Sequence, residues 1–321
     1  MKLRSVCRGL AVSELGFGGA PLGNVYGPID EGTVRDCLDT AWDVGIRYFD
    51  TAPHYGLGTS ERRLGDALAI RARNDFVIST KVGRLLIPNP KPSAFDVQAG
   101  HAVAGELVRQ RDYSRDGIRR SLEGSLERLK MDHVDILYLH DPEEHMEQSL
   151  REAVPEMVRM RDEGLVSAIG IGMNYVSPLQ RFVVESDIDI VLVAGRWTLI
   201  DREAAELIRI CEARGVGVVA AAPFNSGLLS TPWPADSAKF DYAPASQAVV
   251  QRARRLALIC RSHGYELPHA AIQFPIQRRS VACVLAGFGS AHEVRAAAAW
   301  MTQPLPGTLW SEIDEVANGA S

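Results

Sequence analysis

Residues 48–68 read YFDTAPHYGLGTSERRLGDAL, and the interpretation of the whole chain starts from this stretch. Its first residues are strand-like and end on Asp50, and a loop rich in turn-forming residues follows. Ser60 then predicts the N-cap of a helix with apolar residues on one face. The pattern places Asp50, His54 and Tyr55 just beyond a strand, where α/β proteins hold chemically active residues. In the alternative, Asp50 only caps the turn and Tyr55 only packs.

The composition is typical of a globular protein, with 321 residues of which 46% are hydrophobic and 23% charged. A formal net charge of −5 gives no reason to expect a nucleic-acid partner. The longest apolar stretch, residues 215–224, is too short for a membrane span. Residues 1–4 lead straight into a polar segment and lack the apolar core expected of a signal peptide. We therefore expect a cytoplasmic protein, monomeric or weakly homo-oligomeric, that acts on a small molecule without a membrane partner.

Strand and helix patterns alternate along the chain after a short predicted hairpin within residues 3–14. The eight predicted strands cover residues 15–19, 45–50, 75–81, 134–140, 166–172, 189–193, 217–221 and 281–286. Strands that alternate with amphipathic helices pair in parallel, and a count of eight favours a (β/α)8 TIM barrel as a single domain over residues 1–321. An open doubly wound sheet is the alternative. No G-x-G-x-x-G opens the first helix, which counts against a Rossmann cofactor site.

Capping residues and prolines predict several element boundaries. Ser177 is expected to cap one helix, with a proline at its first position, and Asp201 to cap the next. Pro155 is expected to kink or restart the helix over residues 149–163. Residues 82–113, after the third strand, carry three prolines and predict a long loop, which is either a functional lid or a disordered flap.

Four side chains are expected to meet at one rim, because all strands of such a barrel end on the same side. Asp50 ends the second strand, Lys81 the third and His140 the fourth, while Tyr55 lies in the loop after the second. A tyrosine is a poor acid or base at neutral pH unless a cation such as Lys81 stabilises its phenolate. Asp50 would hold the lysine ionised, and His140 would position a substrate oxygen. The set suits hydride transfer at a carbonyl or alcohol, with Tyr55 moving the proton.

Four motifs follow one another in a specific order. They are FDTAPHYG-x-x-x-SE from residue 49, STK from 79, DILYLHDP from 135 and IGIGMN from 169. In this order they resemble the aldo-keto reductase superfamily over nearly the whole chain. The resemblance implies a (β/α)8 barrel and a nicotinamide cofactor bound without a Rossmann fold. It also implies a catalytic tetrad formed by Asp50, Tyr55, Lys81 and His140.

A narrower resemblance concerns the substrate. The segments GFGGAPLGN, AGRWTLID and AAPFNSGLL are similar to the group of D-threo-aldose 1-dehydrogenase, L-fucose dehydrogenase and pyridoxal 4-dehydrogenase. This implies NAD(P)-dependent oxidation of the cyclic hemiacetal of an aldose, of the L-fucose or D-arabinose type, to a lactone. Pyridoxal, which also forms a hemiacetal, is the alternative substrate. A general aldehyde reductase and a cofactor-binding regulatory subunit are further alternatives, and the intact tetrad argues against the latter.

The same resemblance implies the cofactor contacts. Asn174 would bind the nicotinamide carboxamide, backbone N–H groups of residues 225–230 the pyrophosphate, and residues 287–290 the adenosine end. The complete set of implied cofactor residues is Gly18, Gly19, Gly172, Asn174, Phe224, Asn225, Gly227, Leu228, Gly287, Gly289 and Glu293. Ala221 departs from the family pattern, because many members have an aromatic residue there that stacks on nicotinamide. Either Trp197 or Phe224 takes over this stacking, or the stacking is weaker in this protein.

NAD is the predicted cofactor, with NADP as the alternative. Family members that prefer NADP place a lysine and an arginine where this chain has Gly287 and Glu293. A carboxylate there would repel the 2′-phosphate, which carries about −1.5 to −2 charges. Arg295 lies roughly 200° further around the helix, and His292 is mostly neutral at pH 7.

Two further residues are substrate candidates. His54 is expected to line the pocket beside the tetrad, with a surface histidine as the alternative. Trp197, in the loop after the sixth strand, is expected to form a wall of the pocket, with plain packing as the alternative. His140, Asp141 and His145 lack ligand partners from other strands, so no metal site is predicted and metal-dependent hydrolysis is disfavoured.

Overall fold

Eight parallel strands close into a barrel in the computed structural model, which describes residues 1–318. The strands of the molecule are β1 (Leu3–Cys7), β2 (Leu10–Ser13), β3 (Leu15–Gly18), β4 (Tyr48–Asp50), β5 (Val77–Val82), β6 (Arg84–Ser93), β7 (Gly105–Arg111), β8 (Val134–His140), β9 (Val166–Met173), β10 (Ile190–Ala194), β11 (Gly217–Ala221), β12 (Lys239–Phe240), β13 (Ala243–Pro244) and β14 (Val281–Gly287). The barrel runs β3-β4-β5-β8-β9-β10-β11-β14, and β14 pairs back to β3. The predicted closed barrel is confirmed.

Helices lie between successive barrel strands and cover them from outside. They are α1 (Glu31–Asp43), α2 (Thr59–Leu68), α3 (Arg115–Leu129), α4 (Met146–Gln148), α5 (Val154–Asp162), α6 (Val176–Glu185), α7 (Ala205–Arg214), α8 (Gln247–Ser262), α9 (Leu267–Gln273), α10 (Ala291–Thr302) and α11 (Gly307–Asn318). Strands β8 and β9 are buried on both faces, which accounts for their nearly continuous apolar sequences. None of the helices within residues 1–318 combines the length and apolar character needed to cross a membrane.

The predicted N-terminal hairpin is formed by β1 and β2, which pair antiparallel around a turn at Arg8 and Gly9. Val6, Cys7 and Val12 of this hairpin belong to the same apolar cluster as the side chains inside the barrel. A Cβ atom on Gly217, the first residue of β11, would lie 2.4 Å from the backbone oxygen of Val6. The hairpin therefore packs directly against the N-terminal end of the barrel.

The segment after β5 differs from the predicted irregular loop. Strands β6 and β7 pair antiparallel as a two-stranded sheet separate from the barrel, with Pro88 opposite Leu107 and a register shift between Pro88 and Ser93. Prolines are tolerated in β6 because an edge strand leaves one row of backbone groups unpaired. The prediction from the prolines that this segment is not a helix is correct. The prediction that it is an irregular loop is wrong, because it forms the β6–β7 hairpin.

Several helix boundaries also differ from the predicted ones. Helix α2 begins at Thr59 rather than after Ser60, and the buried Ser60 hydroxyl donates to the Gly19 carbonyl at 2.7 Å instead of capping. Helix α6 begins before Ser177 and has Tyr175 as its N-cap.

Helix α7 begins at Ala205, while the Asp201 carboxylate accepts from Glu203 N at 3.0 Å in the preceding turn. The prediction for Pro155 is confirmed, because a π-helical turn over Ser149–Ala153 ends where α5 starts.

The loop after β4 is fixed by direct backbone packing against the loop after β3. A Cβ atom on Gly23 would lie 2.4 Å from the Tyr55 carbonyl carbon, and one on Gly56 would lie 2.2 Å from the Gly23 oxygen. Real Cβ atoms do not approach so closely, so neither position has room for a side chain. Gly56 also has a positive φ of 62°, which favours glycine. The position of Tyr55 therefore depends on these two glycines.

We predict that Gly23→Ala destabilises the protein by about 1–3 kcal/mol, because the added methyl group forces the two loops apart. Gly307→Ala is the matched control, since a Cβ atom there meets nothing within 4 Å and alanine is the better helix former. Thermal unfolding midpoints of the two variants measure the difference. Equal midpoints would contradict the backbone-packing argument.

Candidate active site

The four residues expected at one rim lie together in the structure. Lys81 Nζ donates to Asp50 Oδ2 at 2.6 Å and to the Thr51 carbonyl at 3.0 Å. The same Nζ lies 4.8 Å from the centre of the Tyr55 ring. The rings of Tyr55 and His140 are 6.1 Å apart between centroids, with their planes at 83°. Asp50, Lys81 and His140 are buried, and Tyr55 is half-buried.

A chain of hydroxyl groups inside the barrel holds the carboxylate of this group. Ser79 Oγ donates to Asp50 Oδ1 at 2.7 Å, and the Tyr48 hydroxyl lies 3.0 Å from Ser79 Oγ and 3.2 Å from the Tyr138 hydroxyl. Asp50 therefore accepts one hydrogen bond on each oxygen, from Ser79 and from Lys81.

Sequence reasoning missed this network, although a signal for it exists. Tyr48, Ser79 and Tyr138 each stand two residues before a member of the tetrad on the same strand. In a strand, residues two apart face the same side. A residue that faces the barrel interior therefore identifies the one two positions before it as an interior residue too.

The pKa of Tyr55 is raised well above the ordinary tyrosine value, first by burial and then by the charges of Asp50 and Asp141, with Arg84 acting in the opposite direction. This differs from the expectation that Lys81 favours the phenolate. The reason is that the lysine charge is already balanced by Asp50 at 2.6 Å. The protein by itself therefore holds Tyr55 as the phenol at neutral pH.

His140 is held neutral, because burial, followed by the charges of Arg84 and Lys81, keeps its pKa well below the ordinary histidine value. A neutral imidazole carries a single N–H group. Its Nε2 lies 3.5 Å from Asp141 Oδ2, whereas its buried Nδ1 has no hydrogen-bond partner among residues 1–318. The carboxylate favours the proton on Nε2.

The β6–β7 hairpin is bonded to the rim by two arginines that sequence reasoning did not select. Arg84 Nη2 donates to Asp141 Oδ2 at 2.5 Å, and Arg84 Nη1 lies 3.1 Å from His54 Nδ1. Arg109 Nη2 donates to the His54 carbonyl at 2.7 Å and is paired with Asp96 at 2.7 Å. The hairpin therefore contributes side chains to the rim. No sequence motif indicates Arg84 and Arg109, because their positions depend on how β6 and β7 pair.

A cavity of about 830 Å³ lies at the C-terminal ends of β11 and β14. Six of the implied cofactor residues line it, namely Phe224, Asn225, Gly227, Gly287, Gly289 and Glu293. The volume falls within the range of about 300–1,000 Å³ that is usual for ligand sites.

Two features show that this lining fits a polar, extended cofactor. The buried Asn225 Oδ1 has no hydrogen-bond partner within residues 1–318. A Cβ atom on Gly227 would meet only Ser230 Oγ, at 3.7 Å, so the chain there is open to close approach. The residues present therefore suit a dinucleotide.

The other implied cofactor residues have packing roles in the structure. A Cβ atom on Gly19 would lie 2.7 Å from the Asp50 backbone oxygen, and one on Gly18 would lie 3.3 Å from the backbone of Ala286. The Leu228 side chain is buried in an apolar cluster with α8 and α9, and its backbone N–H donates to the Asn225 carbonyl at 3.2 Å. Asn174 accepts from Arg196 at its carbonyl, at 2.9 Å.

Two more glycines of that set differ in their surroundings. A Cβ atom on Gly172 would meet no atom closer than 3.6 Å, and one of its neighbours would be Lys81 Cε at 3.8 Å. A Cβ atom on Gly287 would lie 2.9 Å from Pro21 Cγ, so the side chain is excluded there by the protein itself. Gly172 therefore borders the tetrad, and Gly287 borders the cavity.

The structure brings one of the two substrate candidates to the tetrad. The His54 ring lies 6.1 Å from the Tyr55 ring and 5.7 Å from the His140 ring, between centroids. Trp197 instead donates through Nε1 to the Pro275 carbonyl at 3.1 Å, and its ring packs against Phe274. These contacts support the packing alternative for Trp197 and leave Phe224 as the aromatic residue of the pair that lines the cavity.

Within the described chain, no three His, Cys, Asp or Glu side chains lie together as ligands for a metal ion.

Comparison with known proteins identifies the family. Residues 14–318 match the model of the Aldo/keto reductase family. The chain is 43% identical over 311 residues to a D-threo-aldose 1-dehydrogenase from Pseudomonas sp, which covers 96% of this chain and 94% of that protein. It is 35% identical over 323 residues to a pyridoxal 4-dehydrogenase from Microbacterium luteolum, with 95% and 94% covered.

A solved structure agrees with this result. An aldo-keto reductase from Bacillus halodurans, in its holo form, has a TM-score of 0.77 and 26% identity, with 99% of this chain and 96% of that chain covered. The family model, the relatives and the barrel all agree, and the chain therefore belongs to the aldo/keto reductase family and is an oxidoreductase.

Proposed function

We propose that this protein is an NAD-dependent aldose 1-dehydrogenase that oxidises the cyclic hemiacetal of an aldose, of the L-fucose or D-arabinose type, to a lactone. The observation that carries the proposal is the similarity to a D-threo-aldose 1-dehydrogenase along nearly the whole of both chains. The convergence of Asp50, Tyr55, Lys81 and His140 on one rim supports it.

The four residues have distinct roles in this proposal. Tyr55 accepts the proton of the anomeric hydroxyl during oxidation and returns it in the reverse direction. His140 donates its single N–H to the same oxygen and so fixes the substrate. Lys81 lies against the Tyr55 ring, and Asp50 holds it there. When bound, the nicotinamide cofactor supplies the hydride acceptor.

The proposed cofactor site is the cavity beside β11 and β14. Gly227 would let the chain approach the pyrophosphate, because it leaves the backbone open there. The buried Asn225 Oδ1, an acceptor without a partner within residues 1–318, would instead accept from an N–H or O–H group of the cofactor. Gly289 and Glu293 line the part of the cavity at the start of α10, which would hold the adenosine end. Gly172 and Asn174, at the end of β9, would meet the nicotinamide end.

The charges around the tetrad favour an uncharged substrate. Lys81 is paired with Asp50 at 2.6 Å, Arg84 with Asp141 at 2.5 Å, and Arg109 with Asp96 at 2.7 Å. Each cation is therefore already balanced by a carboxylate, so a phosphorylated or carboxylated substrate would gain little attraction there. A free sugar suits this environment, and so does pyridoxal.

Oxidation of pyridoxal is the second candidate, supported by the similarity to a pyridoxal 4-dehydrogenase. The same four residues serve either substrate, because both react as cyclic hemiacetals. A screen for NADH formation with L-fucose, D-arabinose, pyridoxal and simple aromatic aldehydes separates the candidates. Activity with pyridoxal alone would overturn the aldose proposal. A single turnover without steady-state activity would favour the regulatory-subunit alternative.

We predict that Tyr55→Phe lowers kcat by about 10²–10⁴-fold, which is the usual contribution of a positioned acid–base group. The dissociation constant for NAD should stay nearly unchanged, because the lost hydroxyl acts only on the moving proton. Lys81→Met should also lower kcat, through the same proton-transfer step. Tyr265→Phe, in the turn between α8 and α9, is the matched control. Retention of more than a few per cent of the activity in Tyr55→Phe would contradict the assignment.

We predict that kcat/KM for oxidation rises with pH from 6 to 9. The pKa of Tyr55 is raised by burial, so the phenolate that accepts the proton becomes more populated throughout this range. The reverse reduction needs the phenol and should stay flat over the same range. The lowered pKa of His140 means that no additional break should occur near pH 6.5. An oxidation profile that is already level at pH 7 would contradict this.

We predict that NAD is preferred over NADP by about ten- to a hundredfold in kcat/KM, or ~1–3 kcal/mol. The Glu293 carboxylate lines the cavity and is held there by Gly289 N, which donates to it at 2.7 Å. Glu293→Gln should raise kcat/KM for NADP and change that for NAD little. Glu315→Gln, on the exposed side of α11, is the control. Equal values for the two cofactors in the wild type would refute the charge argument.

A further inference from the structure

His54 is the third ring of a triangle whose other corners are the tetrad residues Tyr55 and His140. The three centroid separations are 6.1 Å, 5.7 Å and 6.1 Å, and each pair of rings meets at a steep angle between 63° and 84°. His54 is half-buried, so part of the imidazole still reaches solvent. A molecule bound at Tyr55 and His140 would therefore lie beside the His54 ring.

The tautomer of His54 is determined by a neighbouring arginine. Burial, followed by the charges of Arg84 and Arg109, lowers the pKa of His54 to about 2, so the imidazole is neutral and carries one N–H. Arg84 Nη1 lies 3.1 Å from His54 Nδ1, and a guanidinium group can only donate. Nδ1 must then accept, which places the proton of His54 on Nε2.

The β6–β7 hairpin fixes this histidine at two further points. Arg109 Nη2 donates to the His54 carbonyl at 2.7 Å, and the Arg109 guanidinium is held by Asp96. Arg84 is only 12% exposed and is held by Asp141 at 2.5 Å. Both arginines are thereby occupied, so they act on a ligand through His54.

We propose that His54 is a specificity-determining residue, which donates from Nε2 to the hydroxyl on C2 of the sugar, next to the reacting carbon. Arg84 is its positioning residue, because it fixes the tautomer and the ring. The inference rests on the proposed aldose oxidation. Hydroxyls on adjacent carbons lie within hydrogen-bonding distance of each other. Tyr55 and His140 act on the anomeric oxygen. The His54 ring, the third of the triangle, lies where it can reach the hydroxyl on the adjacent carbon, C2.

The chemistry of this donor accounts for discrimination among substrates. A site built to hydrogen-bond a hydroxyl rejects an analogue that lacks it, because the donor that the bound ligand covers is then left unpaired. Simple aldehydes and 2-deoxy sugars offer no hydroxyl at this place. The enzyme should therefore prefer aldoses that carry the C2 hydroxyl over those that do not.

The test compares D-arabinose with its 2-deoxy counterpart, 2-deoxy-D-ribose. The wild type should prefer D-arabinose by about tenfold or more in kcat/KM. His54→Phe keeps a ring of similar size and removes both nitrogens. The His54→Phe variant should lower kcat/KM for D-arabinose by about tenfold. Its kcat/KM for 2-deoxy-D-ribose should change by less than about threefold. His54→Gln, which keeps an N–H donor, should retain part of the preference.

A second pair of variants tests the role of Arg84. Arg84→Met should weaken the preference for D-arabinose. The ¹⁵N NMR spectrum of His54 should then show a mixture of the Nε2–H and Nδ1–H tautomers instead of the Nε2–H tautomer alone. Arg111→Met is the matched control. Arg111 stands opposite Arg84 in the hairpin but is paired with Glu144 at the surface. It should change neither the preference nor the His54 spectrum.

The outcomes separate this inference from the function on which it rests. Equal oxidation of the two sugars by the wild type would overturn the role of His54 and leave aldose oxidation standing. An equal loss on both sugars in His54→Phe would do the same, since it would indicate a merely structural effect. Oxidation of pyridoxal without either sugar would overturn the proposed function and the recognition of C2 together.

Discussion

The buried ion pair between Lys81 and Asp50 is the interaction on which the rim depends. Two charges removed from water are stable only when each is paired and further hydrogen-bonded. Here Asp50 accepts from Lys81 and from Ser79, while Lys81 also donates to the Thr51 carbonyl. These partners come from adjacent strands in register, with Asp50 opposite Ser79. Because Asp50 balances the lysine charge, Lys81 does not lower the pKa of the Tyr55 phenol, which burial and then the charges of Asp50 and Asp141 raise.

The sequence predicted the barrel and the convergence of the tetrad because both follow from local rules. Each strand is recognised from a short apolar run, and the polar residue that ends it is read from the same few positions. In a closed barrel of parallel strands, all of these strand ends lie on one side. The same rules failed where a distant contact decided the outcome. Serine is a preferred N-cap residue, yet the Ser60 hydroxyl donates to the Gly19 carbonyl instead. The pairing of residues 84–93 with 105–111 depends on contacts that proline counts do not report.

The hairpin and the barrel act as one electrostatic unit at the rim. Arg84 reaches from β6 both to His54, in the loop after β4, and to Asp141, directly after β8. Burial, followed by the Arg84 charge, lowers the pKa of both His54 and His140, and both imidazoles are therefore neutral at neutral pH. Neutral imidazoles donate a hydrogen bond without attracting anions. In the proposed function, the same arginine would therefore suit the rim to an uncharged, hydroxylated substrate. It also connects the hairpin to the loop after β4 and to the residue after β8.

At the other end of the proposed cofactor site, Glu293 combines a structural and an electrostatic role. It lies in the first turn of α10, its backbone N–H is capped by Ser290, and its carboxylate accepts from Gly289 N at 2.7 Å. The N-terminus of a helix attracts anions, because its free N–H groups and its dipole both favour negative charge. Glu293 already occupies that place. In the proposed preference for NAD, a 2′-phosphate would have to displace this carboxylate from its hydrogen bond with Gly289 N as well as overcome its charge.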